Sequence, residues 1–253
     1  MKSKYFTVEV KPVIPATDNG LHAAFADGEI LFDWTAFEVP RGGGKLIGAT
    51  VEMRPKGDAN STVQPSPALE LVFAKSKPDG TAPTTLGVEG AAPVTPGVIG
   101  TQAGLYLGNM PILNAAFNTD LDSLTVGSVA APNGMVLHPE PNSGGNVGVD
   151  TLYVGGLAGA AFNFVSSTLI NNGDLDGPTM TTSGTDPRLF IAVGDTVAAS
   201  ITAGTTAARA MGVVESMTAT TVVLTEAFTT TDVVHEDIVY NVSPIRIVLT
   251  FEK

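Results

Sequence analysis

The run Asn172-Gly-Asp-Leu-Asp-Gly177 sets oxygen-bearing side chains at alternate positions, Asn172, Asp174 and Asp176, and puts a glycine where a sharp turn belongs. That pattern matches the first half of a calcium loop, because alternate residues of a tight loop turn their oxygens toward one centre. The second half departs from it. Ser183 stands where a bidentate glutamate should close the site, and no helical pattern flanks the loop. An Asx-rich turn accounts for the same residues without a metal, so no metal and no other cofactor is assigned.

Other chemically capable residues are scattered. His22, His138 and His235 stand far apart, with none of the short spacings of a metal site. The stretch Arg41-Gly-Gly-Gly-Lys45 invites comparison with a phosphate-binding loop, but Val39 occupies the position of the first glycine and no Ser or Thr follows Lys45. A hairpin loop is the expected role. The carboxylates Asp120/Asp122 and Glu236-Asp237 carry no spacing that would set two carboxyls across a cleft, and no Gly-x-Ser-x-Gly elbow occurs. The expectation is a protein that is not an enzyme.

Composition excludes several further classes. The 253 residues carry a formal charge of −12, and no cluster of Lys and Arg stands out. Phosphate backbones and anionic membranes are bound through basic faces, so neither nucleic acid nor membrane is an expected partner. With no cysteine there are no disulfides, thiol nucleophiles or thiolate-held metals. The opening segment has the positive charges of a signal peptide but not its apolar core, since Glu9 and Lys11 interrupt the run.

The elements that must position everything else read as strands. Only 15% of residues are charged, against 43% hydrophobic, and 28 glycines and 17 prolines punctuate short apolar runs. In the last segment Ile245, Ile247, Leu249 and Phe251 share one face, and in the first Phe6, Val8 and Val10 do the same. A segment so apolar has to be paired, and these two are expected to pair with each other. Between them, Ile30, Phe32 and Trp34 are expected to face the core. Ile47, Ala49, Val51 and Met53 form a second inward set, and Leu69, Leu71 and Phe73 a third. Shorter strands are expected at 105–107, 123–129, 135–137 and 152–154, with a hairpin turn at Asn133-Gly134. The low-charge stretch from Lys77 to Gly104 reads as an arm ordered by lying on a neighbour.

Without helical crossovers, these strands predict an all-β fold, an antiparallel β-sandwich with long loops. Five short apolar runs between Leu189 and Tyr240 predict a small SH3-like β-barrel inserted near the C-terminus. The expected main domain is therefore 1–185 plus 242–253, with a small barrel domain over 186–241.

With those residues laid out, the chain resembles virion structural proteins of tailed bacteriophages, in particular the decoration proteins of marine phage heads. The resemblance rests on Met1-Lys-Ser-Lys-Tyr-Phe-Thr-Val-Glu-Val10, Leu69-Glu-Leu-Val-Phe-Ala-Lys75, the Gly/Thr/Ala-rich middle with Tyr153-Val-Gly-Gly156, and Ser243-Pro-Ile-Arg-Ile-Val-Leu-Thr-Phe251. It implies a cement protein made in the host cytoplasm and carried on the virion surface. Its partners would be the major capsid protein and further copies of itself, a trimer being one such assembly. Two other readings remain open: a tail, neck or fibre component, and a glycan-binding module presenting exposed aromatics such as Tyr106 or Tyr153. Against the last, aromatic residues make up 6% of the chain, with a single Trp.

Overall fold

The computed structural model describes residues 4–14, 21, 24–54, 68–93, 102–118, 124–164, 168–171, 177–200, 210–226 and 235–253. Its strands are β1 (Tyr5–Val10), β2 (Ala24–Phe25), β3 (Ile30–Pro40), β4 (Gly44–Met53), β5 (Leu69–Lys75) and β6 (Tyr106–Ile112). Then come β7 (Phe117–Asn118), β8 (Thr125–Leu137), β9 (Val149–Ala158), β10 (Phe162–Asn163), β11 (Leu169–Ile170) and β12 (Thr179–Ser183). The series closes with β13 (Thr196–Ser200), β14 (Ala210–Met217), β15 (Thr221–Leu224), β16 (Ile238–Asn241) and β17 (Ile245–Glu252). Besides strands, the described residues contain only short single-turn helical pieces.

The fold is all-β. One antiparallel sheet runs β1-β17-β4-β8-β7 and a second runs β3-β9-β5-β6. Their inner faces share one core, in which Ile247 and Phe251 of the first sheet join Phe37, Phe73 and Val154 of the second. Burial along β17 alternates strictly, so each inward residue removes apolar surface from water while its neighbours stay wet. The first and last strands pair as their patterns predict, from Tyr5↔Glu252 to Val10↔Ile247. With β4 on its other side, β17 lies in the sheet interior.

β11, β12, β15, β14, β13 and β16 close into a barrel with its own core of Ile170, Met180, Val197, Val222 and Val239. Its extent corrects the expected domain boundary. Leu169–Ile170 and Thr179–Ser183 are barrel strands that were not expected, whereas the run beginning at Leu189 leads out of a single helical turn and forms no strand, so the six barrel strands lie between Leu169 and Asn241. β12 lies in a Thr/Ser/Gly-rich stretch with Met180 and Thr182 pointing inward, since threonine suits a strand as well as a loop.

β-bulges account for other departures. The pairing of β3 with β9 slips between Phe32 and Thr35, and the inserted residue flips the phase, so Phe32 and Phe37 are buried but Trp34 faces outward, half-buried. A slip between Leu46 and Gly48 likewise sends Leu46 inward and leaves Ile47 half-exposed on the outer side. Asn133-Gly134 is not a hairpin turn. It lies within one long strand, β8, beside the bulge, with Gly134 at φ 65°.

The stretch read as an arm on a neighbour lies, over its described part, on its own sheet. Trp34 Nε1 donates to Thr84 O at 2.9 Å and Leu86 N to Asp33 Oδ1 at 2.8 Å, while Ile30 exchanges backbone hydrogen bonds with Gly90 and Ala91. Leu86 drops over Gly155, where a Cβ would come within 2.6 Å of it. The outer face of the four-stranded sheet is thereby covered around Trp34 and Gly155.

Candidate functional site

Asn172, Asp174 and Asp176 lie outside the described residues, as do His22, Asp120 and Asp122. Among the described residues, no three His, Asp or Glu side chains converge as metal ligands. Glu236 is exposed at φ 73° whereas Asp237 is buried, so these neighbours share no cleft. His235 lies 3.8 Å from Glu236, a loose surface contact.

One end of the sandwich does gather the residue types of a hydrolase triad, His138, Ser143 and Asp150. Their bonds go to the backbone instead. Asp150 is 1% exposed and accepts from Gly42 N at 3.0 Å and Asn142 N at 2.9 Å; Ser143 Oγ donates to Glu140 O and accepts from Thr151 N; His138 Nδ1 lies 3.1 Å from Gly42 O. With every group bound to main chain, the cluster anchors the Arg41–Gly44 hairpin loop and leaves no nucleophile facing a base. Arg41 reaches Asn142 Oδ1 at 2.8 Å, and the loop serves as the hairpin its glycines predict.

The two aromatics named for a glycan platform differ in exposure. Tyr153 is 8% exposed, and Tyr106 is half-buried with its ring 5.7 Å from that of Trp34. Burial, helped by the nearby Asp33 carboxylate, pushes the Tyr106 phenol up.

One broad surface left open is the outer face of the five-stranded sheet, over which no described strand lies. Its middle is built from small residues because alternate positions of neighbouring strands come into line there: Thr7 beside Thr250, Gly48 and Ala130, then Val248 beside Thr50 and Ser128. Ile47, Gly48, Thr50, Ser128, Ala130 and Thr250 line a shallow trough. Thr50 and Ser128 hydroxyls meet at 3.0 Å, which satisfies each without a charge.

Charges sit at the two ends of this face. At one, Lys4 bonds Glu252, and Lys45 stands beside Glu252 in the ladder. At the other, Arg246 reaches across three strands, Nη2 to Glu9 Oε2 and Nη1 to Glu52 Oε1, both at 2.7 Å. That double hydrogen bonding holds the Arg246 guanidinium protonated well beyond its ordinary range and the Glu9 carboxyl below the usual carboxylate value; Lys4 does the same to Glu252. Arg54 contacts Asp195 at 3.5 Å, tying the end of β4 to the barrel. Lys4, Lys11, Lys45, Arg54 and Arg246 are five of the chain's 13 cations, gathered around Glu9, Glu52, Glu252 and Asp195 out of 25 acids. The acidic excess lies elsewhere.

Single strands showed which of these residues point outward, as with Thr50, Glu52 and Arg246. Only the pairing of β17 between β1 and β4 makes them one surface.

No protein-family model matches the chain, and no curated protein matches it.

Proposed function

We propose that this chain is a non-enzymatic structural protein of a virion, a decoration protein that binds the outside of a capsid and stiffens it. The observation that carries the reading is the open face of the five-stranded sheet, a flat, uncharged centre between two charged ends that suits assembly with protein, on a body whose polar clusters hold backbone rather than substrate; the capsid itself is met by the acidic surfaces outside that face. Such a face suits extended contact with another protein surface. The acidic remainder of the molecule complements a basic capsid rim and keeps free copies apart. The resemblance to phage head decoration proteins supports the same reading, with the major capsid protein as partner and the capsid surface as location.

The test is co-sedimentation of the purified chain with expanded capsids that lack it. Saturable binding at a copy number on the order of hundreds, set by the symmetry of a shell, with a higher capsid melting temperature, is the expected result. Failure to bind overturns the reading. A tail or neck part would instead be found at about a dozen copies or fewer per intact particle, the number fixed by the symmetry of a tail.

A further inference from the structure

We propose that the open face of the five-stranded sheet binds a second copy of this chain, sheet face against sheet face, about a two-fold axis that lies in the interface and crosses the strands. The inference rests on the reading of this face as an interaction surface and names its occupant.

The ladder itself is self-complementary about such an axis. The rotation turns each strand end for end and leaves the order of strands unchanged, so the line through Glu252, Lys45 and Val136 comes to lie over the line through Arg246, Glu52 and Val126 of the other copy. Glu252 then faces Arg246, Lys45 faces Glu52, and Val136, 68% exposed in the single chain, faces Val126. Every charged pairing in these two lines is attractive, and each occurs twice, as an isologous contact requires. Between them the rotation places Gly48 over Thr50 and Ala130 over Ser128, small residues that let two sheets approach to about 10 Å.

The charge distribution selects this occupant over a basic partner. A basic surface would be drawn to the acidic remainder of a chain with net charge −12, not to a face whose cations at least match its acids. Two copies of so acidic a chain repel each other overall, and a face that gathers cations among its acids lessens that repulsion. Four strands at about 4.8 Å spacing and about seven residues of length give roughly 440 Å² a side, the size of a weak, reversible contact rather than an obligate one. In a virion, the dimer would leave the acidic surfaces facing outward toward other partners.

Sedimentation velocity on the full chain, without capsids, tests this independently of the decoration role. Between about 1 µM and about 1 mM, the range such an interface implies, the mass is expected to rise from 25.9 kDa toward twice that value. The rise should be stronger in about 0.15 M salt than in about 0.01 M, because the Debye length falls from about 30 Å to about 8 Å and screens the mutual repulsion. Ala130→Arg, at an exposed position in the centre, should remain monomeric with an unchanged melting temperature. Lys45→Glu and Glu52→Lys should each weaken self-association at least tenfold, since each sets like charges against each other twice. Mixing those two variants should restore a heterodimer, because both facing pairs become attractive again. A wild-type chain that stays at 25.9 kDa throughout, an Ala130→Arg variant that dimerises normally, or a mixture that stays monomeric would each overturn the proposal.

Discussion

Gly43 shows how tightly single residues are fixed at the loop end of the sandwich. It adopts φ 76°, and a Cβ there would stand 2.1 Å from Leu137 O. Gly43→Ala therefore combines left-handed backbone strain with a clash against main chain that cannot move aside, and should cost about 2 kcal/mol or more, read as a lowered midpoint in thermal or urea unfolding. An unchanged midpoint would mean the hairpin loop is not held as described. At the two ends of the five-stranded sheet's outer face, Glu9 and Glu252 have folded-state pKa values depressed by Arg246 and Lys4. A depressed carboxyl contributes stability that is present above its unfolded value of about 4.3 and is lost as pH falls through the folded value. The melting temperature should thus hold steady from neutral pH to about 5 and decline below about 4.5, by a modest amount because these side chains are exposed. Arg246→Met should be less stable at neutral pH and lose less on acidification. Equal acid sensitivity in both proteins would remove Arg246 from the explanation.

At the scale of elements, β17 joins what the rest of the chain keeps apart. It pairs with β1 on one side and β4 on the other, and it leaves the barrel through Val242, buried completely, after a junction in which Asn241 Nδ2 donates to Phe190 O and to Asp195 Oδ2 at 2.9 Å. Removing residues 244–253 takes out an interior strand together with Ile245, Ile247, Leu249 and Phe251, all fully buried. The expected result is loss of cooperative unfolding by circular dichroism. A truncated chain that kept its melting temperature would show β17 to be an ornament.

For the whole molecule, the question is whether sandwich and barrel unfold separately. Each has a core, yet Ala198, Tyr240 and Val242 from the barrel and its exit pack into the sandwich cluster, and Tyr240 is 1% exposed. Ile14 N also donates to Val242 O at 2.7 Å, so the segment after β1 is pinned to the barrel junction. Calorimetry should therefore show one transition, with calorimetric and van't Hoff enthalpies equal. Two resolved transitions would mean that the shared residues couple the two parts only weakly.

The alternation of Ile245 to Phe251 and of Phe6 to Val10 was enough to specify two half-buried strands and their pairing, because side chains in an extended chain change face at every residue and each face meets a different solvent. Low charge and frequent Gly and Pro likewise sufficed for an all-β fold. Tertiary structure decided what period-two reasoning cannot reach. A bulge adds one residue and inverts every face beyond it, which turned Trp34 outward and left Ile47 on the outer side, half-exposed, and a bulge depends on the partner strand rather than on local sequence. The barrel's first strands were hidden for a related reason: Leu169–Ile170 and Thr179–Ser183 are too short to show a period, and closure of the ring by neighbours distant in sequence makes them strands. The open face belongs to this second category. Thr7, Thr50, Ser128 and Thr250 are ordinary polar positions one at a time, and become a surface only when strands distant in sequence, 78 residues apart in the case of Thr50 and Ser128, lie side by side.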